Sequence, residues 1–358
     1  MAQANIITWN LGGFRQKEAL SSGLQYVQFV ATVIERSGAD LIGFCGIFDN
    51  LAAPFGTTLI NELNNRAQKP NKWREQASPQ LGLSRNEQYS FVWNSEKLQP
   101  AKTSLTDYFQ SVYPLPDEPK ERYGFPRLDG QSTDMPPFLA YFELLGASKF
   151  LPVAIFHAPE WSEYQALLIR MACLNLAQLA AFNQGNGCLL MGTFNVPLDD
   201  DVNTPDSNGA VAFGPLAGAS GPYTQLLARQ PNRLADNAEV AMTMEQALVQ
   251  TADNFFFRKA ANGVSVSNAK VLNVFEGVFG SFTYNSQQED WQWHTAPLGP
   301  ALSALQAVIA NVQDEEDTDN DDLMTAQPDG SYAKLEDAFP PYRALVSAYM
   351  PLMVTVNY

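Results

Sequence analysis

The sequence predicts one large α/β domain, and three features of its 358 residues lead there. Short apolar, β-branched segments alternate with longer segments of helical periodicity, the order of elements that builds sheets covered by helices. A hydrophobic content of 46% suffices for a sizeable core. No Pro/Ser-rich linker separates two cores, so a single domain over 1–358 is expected, with polar loop insertions at 199–221 and 314–333.

The elements follow from local pattern. Asn5 to Asn10 is β-branched and aromatic and is expected to stop as a first strand at Gly12-Gly13. From Tyr26 to Arg36, Val27, Val30, Val33 and Ile34 fall on one helical face, and Ser37-Gly38 ends the helix. Asp40 to Ile47 is nearly all apolar, the signature of a strand buried on both faces. Tyr89–Trp93, Pro137–Leu144, Leu151–Phe156, Cys188–Met191, Asp253–Phe257, Gly280–Tyr284 and Val354–Tyr358 read as further strands. Trp161–Phe182 and Ala301–Val312 read as helices, and His294 is placed on a loop among aromatic residues.

Composition narrows the function. A net charge of -16 and a pI near 4.5 give a surface that repels phosphate backbones, so nucleic acid is not an expected partner. Cys45, Cys173 and Cys188 are odd in number and sit in or beside apolar runs, which fits free thiols in a reducing, cytoplasmic setting. No uninterrupted apolar run is long enough to span a bilayer, so no membrane association is expected. The acidic run from Asp314 to Asp322 places Asp317, Asp319 and Asp321 in EF-hand alternation. Asp322 then occupies the required Gly position and Pro328 the bidentate Glu position, so the run reads as a solvated loop.

Polar residues that end apolar strands converge at one edge of an α/β sheet and are the natural site candidates. Here these are Asn10, Glu87 just before its strand, His157, Thr193 and Asn195 after Gly192, and Asp253. Taken singly, most have bland readings. Asn10 could cap a turn, Asn195 could brace a loop, His157 could be a satisfied core histidine, and Asp253 could be a stranded remnant.

Their order changes the reading. Ile7-Thr8-Trp9-Asn10-Leu11-Gly12-Gly13, Ala39 to Gly46, Asn86 to Trp93, Pro136-Pro137-Phe138, Ile155 to Pro159, Leu190 to Asn195 and Ala252-Asp253-Asn254 run in sequence along the whole chain. This ordered set resembles the endonuclease/exonuclease/phosphatase superfamily, and within it deoxyribonuclease I. The resemblance implies a four-layer α/β/β/α sandwich of two mixed sheets flanked by helices, and a metal-dependent phosphoester hydrolase. It gives Glu87 and His157 the place of a catalytic Glu–His pair, Asp253 that of the acid orienting a second His, and Asn10 and Asn195 those of phosphate-binding asparagines.

The rest of that machinery is replaced. Gly46 stands where the resemblance implies the metal-binding Glu, Thr193 the water-orienting Asp, and Ala348 and Tyr349 the Asp-His of Ser-Asp-His. Mg²⁺ is held by hard oxygen ligands, which Gly46 and Ala348 lack, so no metal or other cofactor is expected although the family implies Mg²⁺. Thr193 cannot accept a proton near neutral pH, which forfeits general-base assistance of roughly 10²–10⁴-fold. Tyr349 is neutral at pH 7 and cannot stand in for an imidazolium.

The expected function is a catalytically inactive member of the superfamily acting as a binding or scaffold module, with an unidentified protein or a small phosphorylated ligand as partner. The alternatives are a phosphodiester or phosphomonoester hydrolase of altered metal dependence using Glu87 and His157, and a structural subunit of a larger assembly. If only side chains were lost, Gly46→Glu, Thr193→Asp, Ala348→Asp and Tyr349→His together would recover metal binding, the backbone already aiming them at one point.

Overall fold

In the computed structural model of the chain, the residues described are 2–14, 23–78, 87–100, 110–111, 138–158, 187–194, 217, 221–227, 230–235, 247–250, 252–259, 263–274, 281–285, 290–294, 342–343 and 346–358. The elements in chain order are β1 (Gln3–Phe14), α1 (Gly23–Ser37), β2 (Leu41–Ile47), α2 (Ala52–Ala67), β3 (Trp73–Ala77), β4 (Gln88–Asn94), β5 (Leu98–Pro100), β6 (Gln110–Ser111), β7 (Phe138–Leu144), β8 (Lys149–His157), β9 (Cys188–Thr193), β10 (Thr224–Gln225), β11 (Arg233–Leu234), β12 (Leu248–Gln250), β13 (Asp253–Arg258), β14 (Ser265–Val271), β15 (Ser281–Asn285), β16 (Asp290–His294) and β17 (Leu352–Asn357).

Two mixed sheets carry the fold. The first runs β14-β17-β1-β2-β4-β3, the second β10-β13-β9-β8-β7-β5 with β6 paired to β7. Each contains one parallel pair, β1 with β2 and β8 with β9, among antiparallel neighbours. Strand alternation decides what lies between them. Ala4 and Ile6 of β1, Leu41 of β2, Tyr89, Phe91 and Trp93 of β4 and Val354 and Val356 of β17 pack against Phe138, Phe142, Val153, Ile155, Leu189, Met191 and Phe255 of the second sheet. The intervening residues of the first sheet, among them Ile7, Trp9, Ile42, Phe44 and Val92, face α1 and α2. Leu139, Ala154, Phe156, Leu190 and Phe256, on the opposite face of the second sheet, are buried as well. This is the sheet-on-sheet α/β architecture expected.

At Gly43 side chains of the second sheet pack close against the backbone of the first. A Cβ there would lie well under 3.0 Å from Met191 Cε and 2.8 and 2.9 Å from two atoms of Ile155. Gly43→Ala is therefore expected to overpack the interior and cost about 1–2 kcal/mol, read as a lower urea midpoint at unchanged slope. An unchanged midpoint would show that the sheets can part there at no cost.

Several elements differ from expectation in instructive ways. α1 ends where expected, in a Schellman turn: Gly38 has φ +65°, its N–H donates to Glu35 O, and the Ala39 N–H donates to Ile34 O. α2 adds a helix beyond those expected; its Pro54 sits in the first turn, where a missing N–H costs nothing. β1 continues past Gly12-Gly13 through an irregularity in its pairing with β2, so that Phe14 pairs with Ile47. His294 ends strand β16 rather than lying on a loop; the alternation Trp291-Gln292-Trp293 is a strand pattern pairing with β15. The expected helices at 161–182 and 301–312, and the loops at 199–221 (apart from 217 and 221) and 314–333, lie outside the described residues, as do Cys173 and Asn195. Cys45 and Cys188 are buried free thiols. No helix among the described residues is long and apolar enough to cross a membrane.

Candidate functional site

The site forms where strand ends of both sheets meet. Asn10 comes from β1, Gly46 from β2, and Glu87 immediately precedes β4, all in the first sheet. His157 ends β8 and Thr193 ends β9 at paired positions of the parallel ladder, and Asp253 opens β13 directly opposite Thr193. Register alone thus sets His157, Thr193 and Asp253 in a row across three strands.

These side chains form one continuous hydrogen-bonded chain. Glu87 is fully buried, and its Oε1 accepts from the Gly46 backbone N–H at 2.8 Å and from His157 Nδ1 at 2.5 Å. Asn10 Oδ1 accepts from the Gly12 N–H at 2.8 Å, which orients the amide so that Nδ2 faces both His157 Nε2 at 3.3 Å and Thr193 Oγ1 at 2.8 Å. The amide donor facing Nε2 fits the tautomer whose proton lies on Nδ1, toward Glu87. The Thr193 hydroxyl in turn donates to Asp253 Oδ1. The His157 backbone N–H donates to the Tyr89 hydroxyl at 3.0 Å, which fixes the end of β8 against β4.

Asp253 is the strained member electrostatically. Burial pushes its carboxyl up to about 7, against the opposing pull of the Thr193 hydrogen bond and His157. Its Oδ2 is buried without a partner, as is Oε2 of Glu87. The same burial, with Asp253 nearby, raises the Tyr349 phenol to about 12 and the Cys45 thiol well above its ordinary value.

The segment before β17 closes one side. The Ser347 hydroxyl donates to Asn10 O at 2.6 Å and accepts the Tyr349 N–H at 2.9 Å, while the Tyr342 hydroxyl donates to Tyr349 O at 3.1 Å. The guanidinium of Arg233 lies 6.0 Å from the centre of the Tyr349 ring, within cation–π range. Residues 232–234 pair with this segment through Met350 N–H to Asn232 O and Leu234 N–H to Ala348 O, both 2.8 Å. Asn232 also clamps the Asp253 backbone, accepting its N–H at 3.0 Å and donating to its C=O at 2.8 Å.

The structure therefore brings Asn10, Gly46, Glu87, His157, Thr193, Asp253 and Tyr349 to one place. Ala348 sits at the edge through its backbone. Asn232, Arg233 and Ser347 carry the site's scaffold and were not singled out from the sequence. Ser347 had a signal, since it matches the Ser of Ser-Asp-His; Asn232 and Arg233 sit at a two-residue strand that leaves no periodicity to read.

Among the described residues, those at the positions implied for a divalent cation do not supply its ligands. Gly46 and Ala348 offer no side-chain oxygen, Thr193 is spent between Asn10 and Asp253, and one oxygen of Glu87 is committed to Gly46 and His157. Among the described residues no three His, Cys, Asp or Glu side chains form a group that could hold a metal.

No family model and no curated protein matches the sequence. Solved structures match over the full length. An endonuclease/exonuclease/phosphatase family protein from Bacteroides thetaiotaomicron aligns with TM-score 0.53 and 11% identity over 99% of this chain and 97% of its own. A mannosyl-6-phosphatase from the same organism gives TM-score 0.53 and 11% identity over 99% and 100%. D. rerio TDP2, complexed with a single-strand DNA product, gives TM-score 0.51 and 10% identity over 100% and 100%. At these identities the likeness establishes the fold.

Proposed function

We propose that this chain, whose fold is that of the endonuclease/exonuclease/phosphatase superfamily, is a non-catalytic representative that serves as a binding or scaffold module. One observation carries the reading: the side-chain donors of Asn10 and Thr193 at the strand ends are spent within the site. Both Nδ2 protons of Asn10 are engaged by His157 and Thr193, its oxygen holds Gly12, and the Thr193 hydroxyl serves Asp253. A hydrolytic site needs donors left pointing at the position where charge develops and a base free to take a proton from water. Here Asn10 has no donor to spare for a phosphate, and Thr193 is no base.

A second reading has its own support. Glu87 orients the His157 imidazole in the manner of a general-base pair, and two of the structural neighbours are, by their names, a phosphatase and a protein holding a DNA product. Under that reading Nε2 of His157 would first have to shed Asn10.

Hydrolysis of p-nitrophenyl phosphate and bis(p-nitrophenyl) phosphate with Mg²⁺ or Mn²⁺, across about pH 6 to 9, separates the two. The expected rate equals that of His157→Ala and of the protein-free blank. Metal-dependent turnover that disappears in His157→Ala would replace the scaffold reading with the hydrolase.

A further inference from the structure

We infer that the metal position implied by this fold is closed here by the backbone itself, so that restoring the missing side chains will not restore a metal site. This rests on the non-catalytic reading above and says why the state cannot be reversed by side-chain replacement.

Three observations converge on Gly46. It has φ +73°, a left-handed conformation that a glutamate adopts only under strain. A Cβ built on it would lie well under 3.0 Å from Asn10 Oδ1, 3.1 Å from Gly12 N and 3.3 Å from Leu11 N, the latter two being backbone atoms that cannot swing aside. Finally, the pairing of β1 with β2 shifts register between Asn10 and Phe14, and that of β2 with β4 between Phe44 and Ile47. Gly46 thus sits inside an irregularity shared by both ladders, and such irregularities re-aim side chains.

The Asn10 carboxamide is not a loose obstacle either. It is held by Gly12 at 2.8 Å, Thr193 at 2.8 Å and His157 at 3.3 Å, and the backbone C=O of the same residue is held by Ser347 at 2.6 Å. The Gly46 N–H is bound at 2.8 Å to Glu87, the carboxylate that also orients His157. A glutamate side chain in place of Gly46 would have to displace the Asn10 carboxamide, breaking its contacts with His157 and Thr193 across the two sheets. The expectation that strand ends already aim the lost ligands at one point therefore does not hold at position 46. What occupies the cleft is a neutral amide hub built into the chain.

Mn²⁺ binding followed by electron paramagnetic resonance at pH 8, where Asp253 is ionised, tests this on the full chain. The Gly46→Glu/Thr193→Asp/Ala348→Asp/Tyr349→His variant, checked for a cooperative melt, is expected to leave the free-ion signal as unchanged as the wild type does. Stoichiometric loss of that signal in the folded variant overturns the inference while leaving the wild type's non-catalytic reading untouched; metal-dependent turnover by the wild type overturns that reading and the inference with it.

Should the quadruple variant not fold, a milder pair decides. Gly46→Ala is expected to lower the melting temperature by about 5 °C, and the Gly46→Ala/Asn10→Ala double variant to lose clearly less than the two single losses together. A Gly46→Ala protein that melts like the wild type, or full additivity, means that Asn10 and the Gly46 conformation are no barrier, and the inference falls.

Discussion

Replacing His157 with alanine is expected to destabilise the fold by about 3–4 kcal/mol near neutral pH, whatever it does to activity, because it strands a buried carboxylate. Glu87 is fully buried, and His157 is one of its two hydrogen-bond partners, the other being the Gly46 N–H. The imidazole is itself only 11% exposed, so water cannot readily take its place. It also spans the two sheets, with Glu87 on one side and its own strand β8 on the other. His157→Asn keeps a donor near the position of Nδ1 and is expected to recover about half of the loss. Urea unfolding with unchanged slope is the measurement. A loss under about 1 kcal/mol for His157→Ala would show that the pair is solvated and the clasp immaterial.

Asp253→Asn is expected to act in the opposite direction, and only at higher pH. Burial raises the Asp253 carboxyl from 3.8 to about 7 in the folded chain. A group whose folded value is raised contributes stability that is present below its unfolded value, near pH 4, and is lost as pH rises through about 7. Above pH 7 the folded chain holds an ionised carboxylate with one buried oxygen unpartnered, a penalty of at most about 4 kcal/mol. The asparagine is neutral throughout and keeps the acceptor for the Thr193 hydroxyl, but it buries an amide N–H in place of Oδ2. Net stabilisation of about 2 kcal/mol at pH 8, vanishing by about pH 4, is the expected result. Equal urea midpoints for the two proteins at pH 8 would mean that Asp253 is not desolvated as described.

Much of this was legible before any coordinates. Strands β2, β4, β8, β9, β13 and β17 could be read because each is a short apolar run buried on both faces, and such runs announce themselves in one dimension. Glu87 and His157 could be matched as a pair because they end or begin such runs in a recognisable order, and they do meet. β14 could not be read: its residues Ser265-Val266-Ser267-Asn268-Ala269-Lys270-Val271 form an edge strand with few apolar positions, stabilised by pairing with β17 far along the chain. Nor could Asn232, whose part is to hold the Asp253 backbone across 21 residues of sequence.

The division is physical. Hydrophobic alternation, helix-ending glycines and the chemistry of each side chain are local properties, so the sequence by itself determined the α/β class, the strands that carry the site, and the absence of carboxylates at positions 46 and 348. How a backbone approaches its neighbours is a property of packed sheets. Only the tertiary structure decided that Gly46 is left-handed against Asn10, that one amide bridges His157 and Thr193, and that Asp253 is dry enough to hold a proton near pH 7. Each of these depends on two sheets meeting in close-packed contact, where a shift of a few tenths of an ångström changes which hydrogen bonds exist.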